Sequence, residues 1–98
     1  MQISITKPAS NWFVQEMDLE PGSAVRFYVR YGGMGGIKEG FSLGISAEQP
    51  NDPITSEEVQ GITFFVERSD AWYFEGVDLS IKYSRKWDDI QYEYPPHN

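Results

Sequence analysis

Hydrophobic and polar positions change period several times along the chain, and each change marks an element. Residues 2–5 are short, with Ile3 and Ile5 on one side, and read as an edge strand. From residue 8 to about 19, Ala9, Trp12, Phe13, Val14 and Met17 fall on helical spacing, while Glu16, Asp18 and Glu20 keep the other side wet. Thr6 stands where an N-cap belongs, Pro8 suits the first turn, and Glu20-Pro21-Gly22-Ser23 predicts the stop. Residues 24–31 alternate, with Val25, Phe27 and Val29 on one face and Arg26, Tyr28 and Arg30 on the other. Phe41, Leu43 and Ile45 alternate again after a glycine-rich reversal, so the two strands form a hairpin with a long connection.

Residues 47–53 are turn chemistry and break the chain into halves without a linker. Residues 55–60 read as a short strand ending in a tight turn at Gly61. The strongest strand by propensity follows at residues 62–67. Ile62, Phe64 and Val66 point inward, and Phe65 requires cover on the second face as well. Ser69 or Asp70 can cap one helical turn over residues 71–74, closed by Gly76. Val77, Leu79, Ile81 and Tyr83 alternate as a last strand, and the aromatic tail from residue 84 is expected to pack down until Pro95-Pro96 ends regular structure. The sum is a mainly β domain, α+β by content, with two small sheets packed together and the N-terminal helix closing one side.

Length and composition sharpen this reading. Ninety-eight residues suit one domain, expected to span 1–98, and three Trp, six Tyr and six Phe supply the large side chains a small core needs. The net charge of −7 argues against binding a nucleic-acid backbone. Residues 1–49 carry four basic and five acidic side chains, and residues 50–98 carry four and ten, which reads as solubility. Cysteine is absent, which removes disulfides, thiolate catalysis and Cys-ligated metal. No apolar run reaches the ~20 residues that span a bilayer, and residues 1–6 lack a signal-peptide pattern, so cytoplasmic residence is the expectation.

The stretch from Tyr31 to Gly44 holds six of the nine glycines and is the first place to look for chemistry. Gly35 and Gly40 stand at P-loop separation. Phe41 occupies the lysine position, however, and a strand follows where a P-loop opens a helix. A Ser–His–acid site would need His97, the single histidine, expected to be a disordered terminal residue. Asp70 with Glu75 and Asp78, or Asp88 with Asp89, are acid pairs in a chain where acids abound, and nothing local marks one for catalysis. Trp12, Trp72 and Trp87 are read as core or core margin. No catalytic residue, metal ligand or cofactor is assigned. The loop residues Gly33, Met34, Gly35 and Gly36 with Arg26 and Arg30 form the one candidate site, for a small anion or a metal ion, although two arginines on a strand can equally pair with acids across a sheet.

The loop and its flanks also carry a resemblance. Arg26-Phe27-Tyr28-Val29-Arg30-Tyr31-Gly32-Gly33, Met34, Gly35-Gly36 and Gly40-Phe41-Ser42-Leu43-Gly44 resemble the HesB/IscA family of A-type iron–sulfur carriers. Gly61-Ile62-Thr63-Phe64-Phe65-Val66, Trp72-Tyr73-Phe74 with Gly76, and Val77-Asp78-Leu79 match its later half. The match runs from residue 2 to about 83 and looks most like small, cysteine-free HesB-like proteins of Gram-positive bacteria. The resemblance implies a HesB-like β-sandwich with an N-terminal helix. It also implies a first cluster-ligating cysteine at the position of Met34 and a Gly-rich Cys-x-Cys tail, where residues 84–98 are acidic and aromatic. A thioether is a poor substitute for a thiolate in holding a cluster. The expectation is a non-enzymatic binding or accessory module related to cluster assembly. Its expected partner is another protein, with no nucleic acid and no membrane, and its expected state is monomer or weak homodimer.

Overall fold

The computed structural model describes residues 1–33 and 36–97. Within them the alternating stretches become seven strands in two sheets. Strand β1 (Ile3–Ile5) lies parallel to β6 (Leu79–Ser84), which pairs antiparallel with β7 (Asp89–Glu93). The larger sheet has the order β3-β2-β5-β4, built from β2 (Ala24–Tyr31), β3 (Phe41–Ala47), β4 (Pro53–Val59) and β5 (Ile62–Glu67). Between β1 and β2 runs helix α1 (Lys7–Met17), and a 3₁₀ helix, Arg68–Phe74, leads from the larger sheet to the smaller. The mainly β, two-sheet architecture with an N-terminal helix is the one expected.

Local chemistry explains the element ends. The Thr6 hydroxyl accepts the Ala9 N–H at 3.3 Å, satisfying one orphan donor of α1. The helix stops at Met17, before the expected Leu19, because Asp18 turns left-handed at φ 53° and Leu19 donates back to the Val14 carbonyl at 3.0 Å. The Pro21-Gly22 turn redirects the chain only afterwards. Gln60 and Gly61, both at positive φ (55° and 82°), make the two-residue turn of the β4–β5 hairpin.

Three expectations are corrected in the second half. The 3₁₀ helix begins at Arg68 and its cap position is Glu67, which makes no side-chain cap bond. The buried Glu67 carboxylate instead accepts the Asn51 and Asp52 amides at 2.7 and 2.6 Å, fixing the preceding turn. Strand β6 is not the last one, since the aromatic tail supplies β7, and Val77 lies outside β6 in an isolated bridge to Pro96. His97 is docked: its N–H donates to the Gly76 carbonyl at 3.0 Å and its Nδ1 lies 2.7 Å from Asp78 Oδ1.

The core sits between the two sheets and is built from rings. Phe13 of α1 meets Phe27 and Phe64 at 5.6 Å each, and Phe27 meets Tyr92 of β7 at 6.1 Å. Ile3, Ile5, Leu79 and Ile81 close the same cluster from the smaller sheet. Phe65 is fully buried on the outer face of β5, as its expected cover required. Burial pushes the Tyr92 phenol up to about 12, with Asp89 adding to the effect. At one corner the edges of the sheets meet, where Glu57 of β4 accepts the Ile5 N–H of β1 at 3.2 Å.

Candidate functional site

The glycine-rich connection between β2 and β3 is pinned at its base and its middle. The Gly32 N–H donates to the Gly40 carbonyl at 2.7 Å, and the Ser42 hydroxyl donates to the Gly32 carbonyl at 2.9 Å. Farther out, the Ile37 N–H donates to the hydroxyl of the fully buried Tyr73 at 3.0 Å. Glycine is required by close approach. A Cβ on Gly36 would stand 2.1 Å from the Tyr73 hydroxyl and 2.3 Å from the Phe41 carbonyl oxygen. A Cβ on Gly33, which sits at φ 81°, would meet Ser42 Oγ at 2.4 Å. Behind Tyr73 lies Tyr94 of the tail. Its phenol is held far above the ordinary range by burial, by the charges of Tyr73 and Tyr92, and by a hydrogen bond with Tyr73.

Beside this loop a row of rings reaches the surface. Tyr31 meets Phe41 edge-on at 5.7 Å, Phe41 meets Trp72 at 5.3 Å, and Trp72 meets the buried Tyr73 at 5.9 Å. Tyr31 is 89% exposed, Trp72 47% and Ile37 of the loop 39%. Each ring is braced by the next, so the row offers rigid, amphipathic surface at low entropic cost. Trp72 therefore belongs to the surface, and Trp87, 66% exposed on the β6–β7 turn with Lys86 Nζ 5.1 Å over its ring, does too. Trp12 stays at the core margin as expected.

The residues named from the sequence are only partly brought together. Gly33 and Gly36 flank Met34 and Gly35, which lie outside the described residues. Arg26 is opposite Ser46, far along β2 from the loop, and its guanidinium is taken by Asp70 at 3.0 Å and Glu48 at 3.3 Å. Burial works against that charge, but the two carboxylates outweigh it and hold the Arg26 pKa above its ordinary value. Arg26 thus pairs with acids and is not presented to the loop. Arg30 is exposed opposite Ser42 and makes no ion pair among the described residues. The acidic pairs dissolve as well. Asp70 serves Arg26, Asp78 receives Gln2 and His97, Asp88 accepts the Tyr83 hydroxyl, and Asp89 accepts the Ile90 amide at 2.8 Å.

A shallow groove of about 360 Å³ runs between α1 and the β6–β7 turn, walled by Pro8, Trp12, Tyr83 and Asp88. No loop residue lines it. Among the described residues no group of three His, Cys, Asp or Glu side chains is placed to hold a metal ion, and no helix is long and apolar enough to cross a membrane. What the site displays is a continuous aromatic patch of Tyr31, Phe41 and Trp72. Sequence reasoning named the glycines but missed Tyr31, Phe41 and Trp72 as a unit. A ring at the end of each strand and one in the helical turn was the available signal.

No family model matches the chain. A Bacillus subtilis (strain 168) protein named pyruvate dehydrogenase inhibitor is 46% identical over 94 residues, spanning 96% of this chain and 99% of that protein. Uncharacterised proteins of Staphylococcus saprophyticus and Staphylococcus haemolyticus are each 35% identical over 95 residues, covering 94% of this chain and 97% and 96% of theirs. Among solved structures, Escherichia coli SufA, described as involved in biosynthesis of iron–sulfur clusters, matches with a TM-score of 0.55 and 20% identity. That match covers 98% of this chain and 86% of SufA. The fold is accordingly that of the A-type carriers. The chain belongs to the family of the Bacillus subtilis pyruvate dehydrogenase inhibitor and its staphylococcal relatives.

Proposed function

We propose that this chain is a non-enzymatic binding protein that docks on pyruvate dehydrogenase and restrains it, using the aromatic row beside the glycine loop. The likeness to the Bacillus subtilis inhibitor over nearly the full length of both chains carries this reading. Exposed Tyr31 and Trp72, joined through half-buried Phe41, support it, since Tyr and Trp are among the residue types that dominate protein interfaces. The test adds the purified protein to the Bacillus subtilis pyruvate dehydrogenase complex and follows NADH formation. Dose-dependent loss of rate is expected, with a Trp72→Ala variant at least tenfold weaker. Full activity at a hundredfold molar excess would refute the proposal.

A second reading draws on the SufA-like fold: a contact role beside iron–sulfur cluster assembly, without cluster ligation by this chain. The chain has no cysteine, and clusters are held chiefly by thiolates. Reconstitution with iron and sulfide should leave no stoichiometric protein-bound chromophore in the visible spectrum.

A further inference from the structure

The free edges of the two sheets are not treated alike. At the corner where β1 and β4 meet, Glu57 accepts the Ile5 amide, so each covers the other. Strand β7 carries Asp89 and Glu93, charges that discourage pairing. Strand β3, paired only with β2, reads Phe-Ser-Leu-Gly-Ile-Ser-Ala: no charge, no proline, and a register with β2 unbroken from Val25↔Ala47 to Tyr31↔Phe41. An edge of that composition is a template for another strand.

Which backbone groups it offers follows from the ladder. The Gly32–Gly40 bond makes that pair a hydrogen-bonded one, and such pairs alternate along an antiparallel ladder. Ser42, Gly44 and Ser46 therefore turn their N–H and C=O groups to β2, while Phe41, Leu43, Ile45 and Ala47 turn theirs outward. Phe41 is occupied by its own loop, its N–H donating to the Lys38 carbonyl at 3.2 Å and its carbonyl abutting Gly36. Among the described residues no backbone bond beyond the ladder engages Leu43, Ile45 or Ala47.

We infer that the open edge from Leu43 to Ala47 takes one extended segment of the pyruvate dehydrogenase complex as an added strand, which continues onto the aromatic row at Phe41. The partner, though not the edge itself, rests on the function proposed above. A second copy of this chain fits worse. Two copies each carry a net charge of −7, with Glu39 and Glu48 flanking the same strand in both. Five residues of edge also bury far less than the roughly 1,600 Å² of a standard interface, so the occupant must reach further surface. The braced rings of Tyr31, Phe41 and Trp72 provide it at the end of the same strand. The segment is neutral or basic, to suit Glu39 and Glu48. It alternates aliphatic side chains, beside Leu43 and Ile45, with small ones beside Ser42, Gly44 and Ser46.

The test uses the intact complex of Bacillus subtilis as the probe. Hydrogen exchange at the Leu43 and Ile45 amides should be fast in the free protein and at least tenfold slower with the complex bound. Ile45→Pro removes an outward N–H and the Ile45 side chain but no N–H that the ladder to β2 uses, and it should weaken inhibition at least tenfold where Ile45→Ala, which loses the side chain alone, does not. Ala47→Pro, at the exposed end of the strand, serves the same purpose if Ile45→Pro misfolds. Inhibition with Leu43 and Ile45 unprotected, or undiminished in the proline variants, overturns the added strand and leaves the inhibitor reading standing. Absence of both binding and inhibition by the wild-type protein overturns the two together.

Discussion

Replacing Tyr73 by phenylalanine removes one oxygen and keeps the ring, which is fully buried and braced against Trp72 and Phe74 at 5.9 and 5.2 Å. That oxygen accepts the Ile37 N–H at 3.0 Å and lies near the Tyr94 phenol, whose pKa burial and its neighbours raise. A hydrogen bond of this kind contributes about 0.5–1.5 kcal/mol net, and a buried donor left unsatisfied costs about 1–3 kcal/mol. Ile37 is 39% exposed, so water can replace part of the loss at the loop. The loop should therefore open more easily by about 1.4 kcal/mol, which is tenfold in the exchange rate of the Ile37 amide. Global stability should fall by a similar amount, lowering Tm by about 6–11 °C in a domain of this size. Exchange read residue by residue is the assay, because it separates the loop from the sheet. Tyr94→Phe should reproduce part of the effect, and the double variant should fall short of the sum. An Ile37 amide that exchanges within twofold of wild type in Tyr73→Phe would refute the latch.

Two further perturbations test the scaffold. Glu67→Ala leaves the Asn51 and Asp52 amides without their acceptor in a buried site, so denaturant unfolding should report a loss of about 2–3 kcal/mol, with Glu67→Gln losing less. The Gln2 amide holds the Asp78 carboxyl below its ordinary 3.8, partial desolvation opposes this, and His97 reinforces it. A carboxylate depressed on folding contributes stability that is complete above the unfolded value and is lost as pH falls through the folded one. The Gln2 and His97 amide shifts should therefore titrate together below about pH 4, and Asp78→Asn should abolish that step.

Period and punctuation made most of the fold legible. Alternation set β2 and β5 at the bounds the structure shows, and Thr6 with Pro8 announced the start of α1. Where reading failed, a tertiary partner decided the outcome. Asp18 ended α1 by adopting a left-handed conformation that no local signal requires. Ile90 and Tyr92 sit among acids in a tail expected to pack down but not given a strand, and the structure pairs it with β6 as β7, with Tyr92 on Phe27 across the core. His97 looked like a loose end because its anchors, Gly76 and Asp78, lie some twenty residues back in the chain.

The site was legible as a place and not as a chemistry. Of the six glycines between residues 31 and 44, Gly33, Gly36 and Gly44 mark close approach, and the approaching groups are Ser42, the Tyr73 hydroxyl and the Tyr28 ring, which lies 2.4 Å from a Cβ built on Gly44. None of these could be paired with its glycine from spacing alone, because each contact crosses a strand or an element. Arg26 is taken by Asp70 and Glu48, and the space beside Gly33 and Gly36 is filled by Ser42, Phe41 and the Tyr73 hydroxyl. Among the described residues Ile37, Tyr31 and Trp72 face outward beside the β3 edge. On the function proposed above, aromatic rings beside outward backbone groups suit an extended polypeptide, which can pair its own backbone with the edge and set side chains on the rings.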